Sequence, residues 1–332
     1  MAATRRPEPG SVIAPASRSS SNGTKVGASV DLGSNSVHLL VASFDGHRLS
    51  PLADESVFLG LGAAVAGRGL LGRVARAELT AALERYSSVA RGLGAQRITL
   101  VGTEPIRRAA DAATIVHEVA VATGTPLHVL THEEEAYLTV IGVTGGEPVT
   151  RETLVVDIGG GSSEFCIVDP ERPPRAAGLR LGSARLTDAF VAHDPPQSTE
   201  IEAMHQAALD AVANAPAANP ATILAVGGTA SNLLKLVPTA DGALTRQRIV
   251  EAMTILESVP SAVATERYSL NPARARILPA GAAIMAAMLD RYGVSQVLVS
   301  DAGIREGTIL AVGRSGPAWR DRLDELARGW RT

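Results

Sequence analysis

The chain has 332 residues, a length that predicts about two domains. Hydrophobic residues make up 45% and charged residues 20%, so the chain can bury a core and is not disordered as a whole. A formal net charge of −3 and only 3% aromatic residues argue against a dedicated nucleic-acid-binding protein, which usually carries a basic excess and stacking side chains.

The cysteine count, the length of the apolar runs and the type of basic residue further restrict the class of protein. Cys166 is the only cysteine, which excludes an internal disulfide and a CxxC zinc site. No apolar run approaches the ~18 residues that span a membrane, and no secretory signal pattern begins the chain. We therefore expect a soluble cytoplasmic protein without a membrane partner. Because 29 of the 31 basic residues are arginines, side chains that bind phosphate should be arginines.

The first predicted elements follow a tail. Residues 1–24 are rich in Ser, Pro, Gly, Ala and Arg, and we predict that they are disordered. Asp45-Gly46 predicts a hairpin turn, and the Gly-rich apolar segment 59–72 predicts a loop. Apolar periodicity predicts strands at 26–31 and 37–44, a third strand that follows the hairpin turn and runs toward Val57, and further strands at 98–102 and 127–130. It predicts helices at 75–93, 109–123 and 133–143.

The same series restarts in the second half of the chain. The segment VDLGSNS at 30–36 matches VDIGGGS at 156–162 position by position. Each copy predicts a strand, a glycine or serine turn, two further strands and then helices. Strands are predicted at 154–157, 164–168, 177–181, 223–226 and 296–300, and helices at 200–214, 245–258, 275–291 and 304–312. We predict two similar domains at 25–144 and 145–303, with the C-terminal helix near 304–328 packing back on the first.

Each repeated turn has the chemistry of a phosphate-binding loop. Glycine tolerates positive φ and lacks Cβ, so several backbone N–H groups can converge on one phosphate oxygen. Ordinary hairpin turns, in which Asp accepts from turn amides, are the alternative, but two matched copies favour phosphate. Side chains at the strand ends and in the turns predict Mg²⁺ ligands at Asp31 and Asp157 and phosphate contacts at Gly33, Ser34, Asn35, Ser36, Gly159, Gly160, Gly161, Ser162 and Ser163.

A third glycine turn links a strand to a helix. It contains Gly227, Gly228 and Thr229. The free N–H groups of a helix N-terminus suit an anion or a nucleotide. A plain strand-to-helix connection fits the sequence equally well.

Two domains with facing DxG turns resemble the actin-like ATPase superfamily. Seven segments, at 30–41, 102–111, 131–143, 155–165, 181–187, 225–233 and 303–307, narrow this resemblance. Through them the chain resembles the exopolyphosphatase / guanosine pentaphosphate phosphatase (Ppx/GppA) family in its short, two-domain form. This resemblance implies an α/β fold of two ribonuclease H-like (actin-like) domains that flank a cleft. It also implies a phosphoanhydride hydrolase that uses Mg²⁺, or Mn²⁺, and an activated water.

The resemblance also assigns roles to single residues. It implies that Glu135 is the general base, that Glu164 is a second functional carboxylate near the metal, and that Arg107 binds phosphate. The residues alone leave Glu133, Glu134 and Glu135 open, because neighbouring side chains on a helix diverge by about 100°. An acidic first turn that complements the helix dipole remains the reading for one or both of the other two glutamates.

The resemblance leaves several substrates open. We expect release of terminal phosphate from inorganic polyphosphate, and shorter chains because the sequence stops before the extra C-terminal domain of longer relatives. Guanosine pentaphosphate is the alternative, slightly disfavoured by the shortage of aromatic residues for stacking guanine. An ATP-dependent kinase or assembly protein, or a weakly catalytic sensor, would be a different class.

We also expect a homodimer that binds no nucleic acid. Phe58 and Arg276 depart from residues that many relatives carry.

Overall fold

The computed structural model describes residues 25–45 and 48–330. The predicted tail at 1–24 and Gly46 of the predicted hairpin lie outside these residues. The strands are β1 (Lys25–Leu32), β2 (Ser36–Phe44), β3 (Leu49–Phe58), β4 (Arg97–Gly102), β5 (Leu127–Val129), β6 (Thr153–Ile158), β7 (Ser163–Val168), β8 (Arg175–Leu179), β9 (Thr222–Val226), β10 (Ala243–Thr245) and β11 (Gln296–Val299).

Helices cover both sheets and fill the connections between strands. They are α1 (Leu61–Arg68), α2 (Gly72–Gly92), α3 (Glu104–Arg108), α4 (Ala112–Thr123), α5 (His132–Thr144), α6 (Ser183–Phe190), α7 (Ser198–Val212), α8 (Gly227–Leu236), α9 (Arg246–Ser258), α10 (Ser261–Tyr268), α11 (Pro272–Ala275), α12 (Leu278–Tyr292), α13 (Ile304–Ser315) and α14 (Leu323–Ala327). Two short 3₁₀ turns, Gly316–Ala318 and Arg320–Arg322, precede α14.

The two sheets have the same strand order. The first runs β3-β2-β1-β4-β5, and the second runs β8-β7-β6-β9-β11 with β10 added at its edge. In each sheet the first three strands pair antiparallel, and the next two join in parallel. The sequence repeat is therefore also a repeat of topology.

The core has a part for each sheet and a part between them. One apolar cluster lies on the first sheet, and a larger one lies between the second sheet and α12. A third cluster joins α5, α13 and the C-terminal helix to β6 and β7. In this third part, α5 lies on β6, β7 and β8 of the second sheet, whereas α13 lies on β1 and β2 of the first. Each sheet is thus covered by a helix that the other half of the chain supplies.

The helices α5 and α13 cross at unusually close range. A Cβ added to Gly142 would lie 1.9 Å from the carbonyl oxygen of Gly303, and one added to Gly307 would lie 1.8 Å from that of Leu138. Any side chain at either glycine would force the two backbones apart. The crossing therefore depends on the absence of a Cβ on both helices.

The prediction of a loop at 59–72 was wrong. This segment contains α1 and the start of α2. The backbone N–H groups of Leu59 and Gly60 donate to the Asn35 carbonyl at 3.0 and 2.9 Å, and that of Gly62 donates to Ser34 at 2.7 Å. These contacts with the first glycine turn fix the start of the helix, and a local reading of glycine content cannot anticipate them.

The C-terminal segment folds over α5. Trp319, Leu323 and Leu326 are buried in the cluster that contains α5, and Arg320 pairs with Glu134. In the part of the chain that the structure describes, no helix is both long and apolar enough to cross a membrane.

Candidate active site in the cleft between the two sheets

The two repeated glycine turns have the same geometry. The N–H of Gly33 donates to the Ser36 carbonyl at 3.1 Å, and that of Gly159 donates to Ser162 at 3.0 Å. The strand register places Asp31 opposite His38 in the first copy and Asp157 opposite Glu164 in the second. His38 therefore takes the place of a carboxylate, and burial together with nearby arginines lowers its pKa to about 4.

The turns offer unused donors where they approach each other. Among the described residues, the backbone N–H groups of Ser34, Asn35, Gly160 and Gly161 donate to no other group. The Asn35 side-chain nitrogen is buried and also has no partner in the described part of the chain. A Cβ on Gly160 would lie only 2.9 Å from this nitrogen. Convergent unpaired donors of this kind bind anions.

A cavity of about 550 Å³ lies between the two halves and collects most of the predicted site residues. Four predicted residues do not line it. The hydroxyl of Ser163 donates to the Leu181 carbonyl, Thr229 packs against Gly281, Gly160 faces the Asn35 side chain of the first turn, and Arg107 faces Glu135. The predicted residues that line it are Asp31, Gly33, Ser34, Asn35, Ser36, Glu135, Asp157, Gly159, Gly161, Ser162, Glu164, Gly227 and Gly228.

The first turn of α5 sends its three glutamates in different directions. Thr131 caps the helix, and Glu134 completes the capping box by accepting from the Thr131 N–H at 2.8 Å. Glu133 is exposed and accepts from the Tyr137 hydroxyl at 2.9 Å. Only Glu135 is buried and lines the cavity. The structure therefore separates the three residues that the sequence alone left equivalent.

Arg107 is the cation beside Glu135. Its guanidinium donates to Glu135 at 2.7 Å and to the Leu130 carbonyl at 2.8 Å, and it lies 2.9 Å from His132 Nδ1 and 3.7 Å from Glu164. His132, Glu135 and Glu164 are close enough together to hold a metal ion. Arg107 contacts all three, so its single positive charge offsets part of the negative charge of this group.

Four carboxyl groups of the cavity have raised pKa values. Burial raises the pKa of Asp31 to about 7, of Asp157 to about 6 and of Glu164 to about 8. Burial and the neighbouring Glu164 raise the pKa of Glu135 well above its usual range. One Asp31 oxygen is buried with no hydrogen-bond partner among the described residues. Crowded carboxylates in this state are suited to a divalent cation with oxygen ligands.

The third glycine turn lies beside these carboxylates. Gly227 has φ 84°, and a Cβ there would lie 2.5 Å from an Asp157 oxygen. The guanidinium of Arg274 covers the next residue, since a Cβ on Gly228 would lie 2.6 Å from its central carbon. The turn therefore forms part of the cavity wall, between a candidate metal ligand and an arginine.

Sequence reasoning missed several charged residues of this cavity, and two of them contact the glycine turns. Glu104 lies between the first two turns, and Arg274 lies over the third. Neither has a local spacing signal, because both reach the site through tertiary contacts. Arg305 lines the cavity and pairs with Asp54. The two residues that differ from those of many relatives lie outside the cavity. Phe58 is 48% exposed, and Arg276 donates to the carbonyls of Val191 and His193.

Comparison with known proteins shows the family. A model of the Ppx/GppA phosphatase family matches residues 40–314. The chain is 28% identical over 300 residues to exopolyphosphatase 1 of Mycobacterium tuberculosis, covering 85% of this chain and 86% of that protein. The crystal structure of the Aquifex aeolicus Ppx/GppA family member matches with a TM-score of 0.78 and 26% identity, over 89% of this chain and 99% of that one. Its fold is thus that of two actin-like domains, and the chain belongs to the Ppx/GppA phosphatase family.

Proposed function

We propose that this phosphoanhydride hydrolase is an exopolyphosphatase that releases terminal orthophosphate from short polyphosphate chains. The observation that carries the proposal is that one cavity is lined by two matched glycine turns and by the buried Glu135. Phosphoryl transfer depends mainly on positioning and on neutralising charge. The two glycine turns, with their free N–H groups, would position the phosphate groups. The buried carboxylate of Glu135 would act as the base that accepts a proton from the attacking water.

The glycine turns would hold consecutive phosphate groups. The unpaired N–H groups of Ser34, Asn35, Gly160 and Gly161 would donate to phosphate oxygens, joined by the Asn35 side chain. The two turns belong to different halves of the molecule. A bound chain would therefore join the halves across the cleft.

Glu135 would orient the attacking water and accept its proton. Burial and the neighbouring Glu164 raise its pKa, which makes the ionised carboxylate a stronger proton acceptor. Arg107 holds one of its oxygens at 2.7 Å and so fixes the direction of the carboxylate. In this arrangement Arg107 would position the base, and it would have to release Glu135 in order to bind phosphate itself.

Asp31, Asp157 and Glu164 would hold Mg²⁺, with Mn²⁺ as the alternative. The unpartnered Asp31 oxygen and the raised pKa values of all three groups support this assignment. Bound there, the ion would neutralise charge on the phosphate oxygens. The cavity needs such a cation, since its three basic side chains, Lys235, Arg274 and Arg305, face eight acidic ones, Asp31, Asp54, Glu104, Glu135, Asp157, Glu164, Asp301 and Glu306.

The lining of the cavity favours polyphosphate over guanosine pentaphosphate. Among the described residues that line it there is no Phe, Tyr or Trp, so guanine would find no ring to stack on. A volume of about 550 Å³ matches sites that enclose small molecules. Both observations support a short run of phosphate groups as the substrate.

Phosphate release from defined substrates tests this proposal. The purified protein with Mg²⁺ would be assayed on tripolyphosphate, long-chain polyphosphate, guanosine pentaphosphate and ATP. We expect the highest kcat/KM on short polyphosphate. A higher value on guanosine pentaphosphate would replace the proposed substrate, and phosphate release from ATP alone would point to a different class of enzyme.

A further inference from the structure

Glu104 is a carboxylate placed where an anion would bind. It begins α3 and is 5% exposed. It accepts from the Ser34 hydroxyl at 3.1 Å, from Arg108 at 2.6 Å and from Arg185 at 2.9 Å. A Cβ on Gly161 would lie 2.5 Å from one of its oxygens. Glu104 therefore lies between the first and second glycine turns and connects the two halves of the chain.

The partners of Glu104 are those of a phosphate group. A hydroxyl and two guanidinium groups are typical donors to phosphate oxygens. Arg185 is also fixed against the second turn, because its Nε donates to the Gly161 carbonyl at 2.9 Å. Ser34 belongs to the first turn, so the donors come from both walls of the cleft. One carboxylate satisfies all three, whereas the neighbouring Asn35 nitrogen has no partner in the described part of the chain.

We propose that Glu104 is a resident anion: it occupies a phosphate subsite made by Ser34, Arg108 and Arg185, and it thereby weakens binding of phosphate chains. The proposal rests on the proposed function in so far as the ligand is phosphate. With Glu104 in place, its single negative charge offsets one of the two arginine charges and engages N–H donors of both guanidinium groups. Without it, the same donors would accept one more phosphate group.

The Glu104→Gln variant tests this directly. The amide keeps the shape of the side chain but removes its charge. In the absence of divalent metal, orthophosphate binding measured by calorimetry should tighten about tenfold, the order expected for regaining one charge-assisted hydrogen bond. The melting temperature of the variant should also rise with phosphate more steeply than that of the wild type.

Two further variants make the result specific. Glu133→Gln removes the same charge from an exposed position outside the cavity and should leave phosphate binding unchanged. Adding Arg185→Gln to Glu104→Gln should cancel the gain. Unchanged or weaker phosphate binding in a folded Glu104→Gln protein would overturn the proposal, because a purely structural carboxylate gives no gain when removed.

Folding of the variants is itself informative. Glu104→Ser shortens the side chain and should show the same gain as Glu104→Gln. If both variants fold only with phosphate present, the proposal is supported, because phosphate then replaces the carboxylate. If neither folds with or without phosphate, the proposal is wrong. Phosphate binding without metal is measured independently of turnover. Wild-type protein that releases no phosphate from any substrate would therefore contradict the proposed function and leave the inference about Glu104 unchanged.

Discussion

Three adjacent glutamates on α5 show how much a residue's chemistry depends on its surroundings. Glu134 completes the capping box of the helix and pairs with Arg320, Glu133 is exposed, and Glu135 is buried beside Arg107 and Glu164. The sequence could predict that one of them faces a cleft, because neighbours on a helix diverge. It could not predict which one, because the choice depends on the contact of α5 with the second sheet.

The Glu135→Gln variant should lose most of its turnover and keep its fold. The amide cannot accept the proton of the attacking water, and loss of a general base costs about 100- to 10,000-fold in rate. Phosphate release measures the loss, and circular dichroism with thermal melting measures the fold. Glu133→Gln on the same helix is the matched control. A Glu135→Gln rate within a few-fold of the wild type would remove this residue from the role of base.

Residues of the site differ in how far a sequence can predict them. The glycine turns could be found because their signal is local and occurs twice. Glu104 could not be assigned partners, because Ser34 and Arg185 are 70 and 81 positions away. Ser163 and Thr229 were expected at the cleft, but the structure shows them in contacts with Leu181 and Gly281.

At the scale of elements, the repeat predicts more than the local patterns do. The repeat predicts that both halves contain the same series of strands, the two sheets share one strand order, and most strands lie where periodicity predicts them. The exceptions are elements fixed by distant contacts. The helix α1 forms in a segment that is rich in glycine because its first N–H groups meet the carbonyls of the first glycine turn.

The crossing of α5 and α13 gives a prediction about stability. Gly142→Ala would place a Cβ 1.9 Å from a backbone oxygen that no rotamer change can move away. We expect the free energy of unfolding in urea to fall by about 3 kcal/mol or more, at or above the upper end for overpacked cores. Gly67→Ala in α1 is the control. A Cβ there meets nothing within 4 Å, so stability should stay the same or rise by about 1 kcal/mol. Equal effects of the two substitutions would show that the crossing tolerates a side chain.

For the molecule as a whole, the main electrostatic feature is an acidic cavity in a nearly neutral chain. The net charge of −3 gives no hint of it. Asp31, Asp157 and Glu164 have pKa values of about 7, 6 and 8 despite the nearby cations Arg107, Arg274 and Arg305. In the unfolded chain the pKa of such groups lies near 4. The folded protein therefore holds protons that the unfolded chain has already lost.

This difference predicts a pH-dependent response to metal. As pH rises from about 4 to about 8, the three groups should reduce the stability of the metal-free protein, because the folded state binds more protons in this window. Mg²⁺ should therefore raise the melting temperature more at about pH 8 than at about pH 5, by about 1–2 °C for each kcal/mol of linked free energy in a chain of this length. Melting curves with EDTA and with Mg²⁺ measure the effect, and Asp31→Asn should reduce it. A shift that is equal at both pH values would argue against these carboxylates as ligands.

Because α5 packs on the second sheet and α13 on the first, we expect that neither half of the chain folds on its own. A cut between Gly145 and Gly146 would leave α5, buried along residues 135–142, without the second sheet that covers it. We expect fragments 25–145 and 146–330 to aggregate when expressed singly and to reassemble into an active complex when expressed together. A soluble, cooperatively unfolding 25–145 fragment would contradict this. If the two fragments behave as expected, the fold could serve as a split reporter, because activity would return only when both fragments bind each other.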